Sequence, residues 1–231
     1  MNKSLLGASL FALALAAHAV HAHEAGDILI RAGAITVNPK ADSSTVKVDQ
    51  GPLAGANLGG KATMSSDTQL GLNFAYMLTN HVGIELLAAT PFEHDVKIKG
   101  TSLPDANGKL GTLKHLPPTL SVVYYPLDNK SPFQPYVGAG INYTWIYDEH
   151  VSSRASEAGF SNFKAENSWG WAAQIGADYM INDKWMINAQ ARYIDISTKA
   201  TVEYSGAPGT RAKVNVDVDP MVYMVGIGYK F

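Results

Sequence analysis

The sequence predicts an all-β fold: an eight-stranded antiparallel transmembrane β-barrel with short periplasmic turns and four longer extracellular loops. Three observations carry that expectation. The chain ends Gly226-Ile227-Gly228-Tyr229-Lys230-Phe231, with an apolar residue at every second position back to Met221, so a one-sidedly oily strand runs to the last residue. Seven earlier segments repeat the period of two. In each, the oily set is the larger and more aromatic, while the alternate set carries Gly, Asn, Gln, Asp and Arg. An oily outside around a polar inside suits lipid and is the reverse of a water-soluble barrel.

The amino terminus agrees. Lys3 precedes the apolar run Leu5 to Ala17, which is too short to span a bilayer, and Val20-His21-Ala22 offers small residues at the processing positions. Residues 1–22 read as a cleaved signal peptide, with Ala17-His18-Ala19 as the second candidate, and 23–231 as one outer-membrane barrel domain. Those roughly 209 residues suit a single all-β domain.

The first strand is Asp27 to about Val37, sending Ile28, Ile30, Ala32 and Ala34 outward; Ile35 and Val37 break phase and predict a bulge near Ala34. The second, Thr68 to Leu78, turns at 79–81 into a third, Val82 to about Lys97. The fourth covers about Thr119 to Tyr125, and the 126–132 turn leads to a fifth, Gln134 to Tyr147. The sixth, Ser168 to Ile181, turns at 182–184 into the seventh, Trp185 to about Ser197, and the eighth is terminal. Those short turns face the periplasm, and long loops near 38–66, 98–116, 148–167 and 198–217 face outside. Trp185, Tyr179, Tyr124 and Tyr229 lie near the short turns, and Trp145, Tyr147, Trp169 and Trp171 near the loops, predicting two interfacial girdles.

Composition removes other classes. The chain has no cysteine and a formal net charge of −2, so it offers no thiolate metal site and no basic footprint for nucleic acid. No cofactor motif is present: Gly138/Gly140 and Gly226/Gly228 are small lumenal residues rather than a phosphate cradle. His150 with Ser152, Ser153 and Ser156 lacks an acidic partner at any fixed spacing, so no catalytic residues are assigned and the chain does not read as an enzyme.

Eight strands enclose room for side chains or one small ligand, which excludes an open aqueous pore. The inward positions predict a lumenal charge network of Arg31, Glu85, Asp178, Arg192 and Lys230, with Gln174 and Gln190 beside it; it reads either as a structural plug or as a gate. Above it, Leu87, Ala89, Ile146, Val222 and Met224 predict an apolar pocket open to the loops. Strands three and four form a hairpin turning at Pro104-Asp105-Ala106-Asn107-Gly108. Pairing Val82 with Pro126 sets Pro91 opposite Pro117, with Pro118 adjacent. Proline has no N–H, so the wall there is either splayed above the membrane or a lateral opening. His94 and His115 face one another across this hairpin; two histidines without a third ligand read as solvated loop residues sooner than as a metal site.

The run Val82-Gly83-Ile84-Glu85-Leu86-Leu87-Ala88-Ala89-Thr90-Pro91-Phe92, Leu116-Pro117-Pro118-Thr119-Leu120, and Pro135-Tyr136-Val137-Gly138-Ala139-Gly140-Ile141-Asn142-Tyr143 resemble the outer membrane protein W (OmpW) family. So do Ser168-Trp169-Gly170-Trp171, Asp217-Val218-Asp219-Pro220 and Tyr229-Lys230-Phe231, most nearly as in its OprG-like pseudomonad members. The resemblance implies an eight-stranded Gram-negative barrel passing small, often hydrophobic, solutes. The terminal Phe231 resembles the signal by which the barrel-assembly machinery sorts such proteins, making that machinery, outer-membrane lipid and small solutes the expected partners. The competing expectation is a non-transporting surface protein whose loops bind phage, bacteriocin or host.

Overall fold

The structure is a computed structural model and describes residues 21–231; the expected signal peptide up to residue 20 lies outside the described residues. The chain begins with β1 (Ile28–Asn38), β2 (Asp42–Ser43), β3 (Val46–Gln50), β4 (Asn57–Met64) and β5 (Asp67–Met77). It continues through β6 (Val82–Ala89), β7 (Phe92–Thr101), β8 (Gly108–Leu116), β9 (Thr119–Tyr124) and β10 (Phe133–Val151). A short helix, α1 (Ser153–Glu157), precedes β11 (Phe160–Ala165) and β12 (Ser168–Met180). The last strands are β13 (Trp185–Ile194), β14 (Ser197–Tyr204), β15 (Thr210–Asp217) and β16 (Met221–Lys230).

Eight of these close a barrel in the order β1, β5, β6, β9, β10, β12, β13, β16. The terminal strand returns onto the first from Leu29↔Lys230 to Asn38↔Met221, so no edge is left in the apolar band, where an unpaired N–H finds no water. The outward set is the expected one: Leu70, Leu86, Val122, Val137, Ile141, Ile175, Val225 and Ile227 are all exposed. Aromatic pairs bound it on both sides. Trp185 packs on Tyr229 at 4.9 Å below; Tyr143 on Trp169 at 4.7 Å and Trp171 on Tyr193 at 5.1 Å lie above.

The segments expected as loops are strands, and the expected third strand is two, β6 and β7. β2 to β4, β7, β8, β11, β14 and β15 join the upper part of β10 in a second sheet that prolongs the barrel outward. Its polarity is inverted: Val46, Val48, Val96, Ile98, Leu113, Val214 and Val216 are buried inside, and Lys47, Lys97 and Lys99 lie outside. A sheet standing in water needs that arrangement. A search for lipid-facing alternation overlooks it because the phase of the oily residues is the opposite one. The same inversion removes the expected bulge near Ala34. β1 keeps unbroken register with both neighbours, and Ile35 and Val37 simply point into a lumen that has become apolar at that height.

Candidate functional site

The floor of the barrel is a closed ionic cluster, and the strands that point it inward are those the period of two identified. Arg31 of β1 grips Asp178 of β12 in bidentate fashion, Nε to Oδ1 at 2.9 Å and Nη2 to Oδ2 at 2.6 Å. It also donates to Asn73 at 3.0 Å, to Glu85 at 3.3 Å and to the Tyr125 hydroxyl at 2.8 Å. Glu85 of β6 accepts from Arg192 Nη2 at 2.6 Å and Gln174 Nε2 at 2.9 Å, and Arg192 donates as well to Gln174 Oε1. Two guanidinium groups thus face two carboxylates, all of them fully buried. Pairing of this kind is the condition for keeping charge out of water. The Tyr136 ring lies 5.6 Å from the Arg31 guanidinium. It fits because β12 carries Gly176 beneath it, where a Cβ would stand 2.4 Å from the ring.

Lys230 is a correction. It lies outside this cluster, 3.6 Å from Asp27. Its register partner is Leu29, two residues below Arg31, so its long side chain reaches the periplasmic rim instead. The segment it holds there went unread in the sequence because it precedes the first strand. His23 enters the lumen, its Nε2 2.9 Å from Asp178 Oδ2 and its ring edge-on to Tyr125 at 4.8 Å. Asn188 of β13 ties Asp178 to the Tyr136 hydroxyl, its Nδ2 lying 2.8 and 3.1 Å from them.

Above the floor, Leu87, Ile146, Val222 and Met224 are buried in one apolar cluster, with Ala89 packed against it. It is a filled column rather than an open pocket, since Ile35 and Val37 of β1, Phe92 and Val96 of the extension and Val218 join the same cluster. Two small apolar cavities punctuate it. One of about 30 Å³ is lined by residues that include Val37, Leu113 and Ile146; one of about 40 Å³ lies higher, among Val46, Ile98, Phe160 and Phe163.

The wall is interrupted beside this column. The β6–β9 ladder stops at Leu87↔Thr119, and the β7–β8 ladder resumes at Phe92↔His115. Pro91, Pro117 and Pro118 lie within that interval, but Pro91 does not face Pro117. Val82 pairs with Tyr124, two residues from the expected register, and the strand pauses at Thr90, whose N–H bonds Leu70 O of the other neighbour at 3.0 Å. Asn142 serves the proline carbonyls: its Nδ2 lies 3.1 Å from Pro117 O, 3.1 Å from Pro118 O and 3.0 Å from Thr119 Oγ1. No sequence signal marks such a bond, since it depends on register.

His94 and His115 do meet, as diagonal neighbours on one face of the β7–β8 pair. Their Nε2 atoms are 2.7 Å apart, and both rings are buried beside the Phe92 ring. Burial pushes the His94 pKa down, and burial followed by the neighbouring His94 pushes His115 down to about 3. Both stand in the extension, above the lipid band. Ser152 is no nucleophile in waiting: it caps α1 by accepting from Ala155 N, and donates to Lys109 O at 2.7 Å.

Comparison with known proteins follows the same lines. The family model described as the OmpW family matches residues 24–231. Outer membrane protein W of Vibrio cholerae serotype O1 is 42% identical over 232 residues, covering 100% of both chains. The crystal structure of the outer membrane protein OprG from Pseudomonas aeruginosa superposes with a TM-score of 0.85 at 48% identity, over 92% of this chain and 99% of that one. The dibenzothiophene metabolism operon protein PahQ of Pseudomonas aeruginosa is 30% identical over 174 residues, 75% of this chain and 76% of its own length.

Proposed function

Because the chain belongs to the OmpW family and is a multi-pass β-barrel of the outer membrane, we propose that it serves passive uptake of small hydrophobic or weakly polar solutes. A solute enters the apolar interior of the extension, descends the column of Ile146, Leu87 and Met224, and leaves sideways past Pro91, Pro117 and Pro118 into the lipid. The interrupted ladder between Leu87↔Thr119 and Phe92↔His115 carries this reading. A barrel wall in lipid is otherwise held to pair every backbone group. The ion-paired floor below leaves no neutral path downward, so an apolar solute meets less resistance to the side. The cavities of about 30 and 40 Å³ are smaller than such a solute, so passage needs side chains of the column to move aside. The name of the PahQ relative points to an apolar aromatic, which is the chemistry this interior would accept.

The test uses vesicles whose outer leaflet is lipopolysaccharide, and an apolar fluorescent solute. Replacing Pro91 and Pro117 by Val supplies two backbone donors to the interrupted wall and should slow uptake while raising thermal stability. Uptake at the wild-type rate by the folded double variant would refute the lateral exit. Wild-type uptake no faster than that of protein-free vesicles would refute the conduit altogether and favour a non-transporting surface protein.

A further inference from the structure

We propose that His94, His115 and Met64 form a binding site for one Cu(I) ion in the extension, a role separate from solute passage. The two imidazoles already aim a ligand atom at one point, their Nε2 atoms 2.7 Å apart. His94 Nδ1 donates to the Ser65 carbonyl at 2.6 Å. That is the outer hydrogen bond that orients a metal-ligating imidazole, and it leaves His94 Nε2 as a bare lone pair. His115 must then be the donor of the Nε2 pair, and its Nδ1 is buried without a partner. When a metal takes Nε2, the ring proton moves to Nδ1, the ring stays neutral, and no hydrogen bond of Nδ1 is broken. Coordination at about 2 Å per nitrogen needs the rings to part, and His115, tied by no second bond, is the ring free to turn.

The donor set decides which ion. Met64 lines the same cavity of about 30 Å³ as the two histidines. Among the described residues, no group of three or more His, Cys, Asp or Glu stands ready for a metal. Two imidazoles and a thioether, with almost no room for water, suit a soft monovalent ion and fail a hard divalent one that needs oxygen ligands. Phe92 stacks on His115 at 5.4 Å, and Val37, Leu113 and Ile146 complete a dry apolar wall. The ligands come from β4, β7 and β8, so the ion would tie three strands together above the interrupted wall.

Purified protein in detergent, under reducing conditions, is titrated with Cu(I) buffered by a chromophoric chelator. The expected result is one Cu(I) retained per chain, weakened in Met64→Leu and lost in His115→Gln, with Zn(II) not retained. Imidazole ¹⁵N spectra of the wild type give a readout that needs no variant: Cu(I) should shift the Nε2 signals of His94 and His115 and leave those of His81 and His150 unmoved. Failure of the wild type to retain Cu(I), equal retention by folded His115→Gln, equal retention of Zn(II), or shifts confined to other histidines would each overturn the proposal.

Discussion

Replacing Glu85 by Gln isolates what the barrel floor contributes, because the two arginines depend on Glu85 unequally. Arg31 loses one bond of 3.3 Å but keeps the bidentate grip on Asp178 at 2.9 and 2.6 Å. Arg192 loses its only carboxylate among the described residues, at 2.6 Å. Its remaining acceptors are the amide oxygens of Gln174 and Gln190, and its Nε and Nη1 have no partner even in the wild type. The penalty is therefore that of a buried cation stripped of its counter-charge, about 3–5 kcal/mol. Arg192→Met is the milder change, since Glu85 keeps Arg31 and Gln174; the lost charged hydrogen bond is worth about 1.5–3 kcal/mol. The double variant should be more stable than Glu85→Gln alone, because the stranded cation is gone. Urea unfolding in lipid vesicles, followed by tryptophan fluorescence, measures all four corners of the cycle. Equal losses in the two single variants, or a strictly additive double variant, would refute the Glu85–Arg192 pairing without touching the barrel itself.

Ile141→Arg, on an outward position 57% exposed, should destabilise the same unfolding transition by about 2–4 kcal/mol if it lies at the lipid midplane. Lys97→Glu on the outside of the extension should leave that transition unmoved. The extension should also be acid-sensitive through its histidine pair. His115 binds its proton near pH 3 when folded but near 6.5 when unfolded, so the unfolded state holds more protons between those values. Stability is then complete above about pH 6.5 and falls by up to about 1.4 kcal/mol per pH unit below it, until pH 3, with His94 adding in the same direction. Amide exchange in β7 and β8 should accelerate from pH 7 to pH 5 relative to β13 and β16. An unchanged ratio would mean that the pair does not titrate on opening.

Much of the barrel was legible because lipid imposes its rule on each residue separately. Ile141, Ile175 and Ile227 declare their side by their own hydrophobicity, and Arg31, Glu85, Asp178 and Arg192 declare theirs by contrast, whatever strand each pairs with. The extension was less legible. Val46, Val48, Ile98 and Val214 alternate as cleanly as the membrane strands, but water reverses which face is oily, and a pattern read for lipid treats their runs as loops.

What the sequence determined by itself was the period of two, the lipid-facing set and the four charged residues of the floor, since these follow from the solvent on each side of a strand. What only the tertiary structure decided was who meets whom. The two-residue offset of Val82 against Tyr124 separates Pro91 from Pro117, Leu29 takes Lys230 to the rim, and His23 reaches Asp178 across 155 residues of chain. Register between strands distant in sequence is set when the barrel closes and every N–H must find a carbonyl at once. That condition acts on all eight strands together and leaves no mark on any one of them.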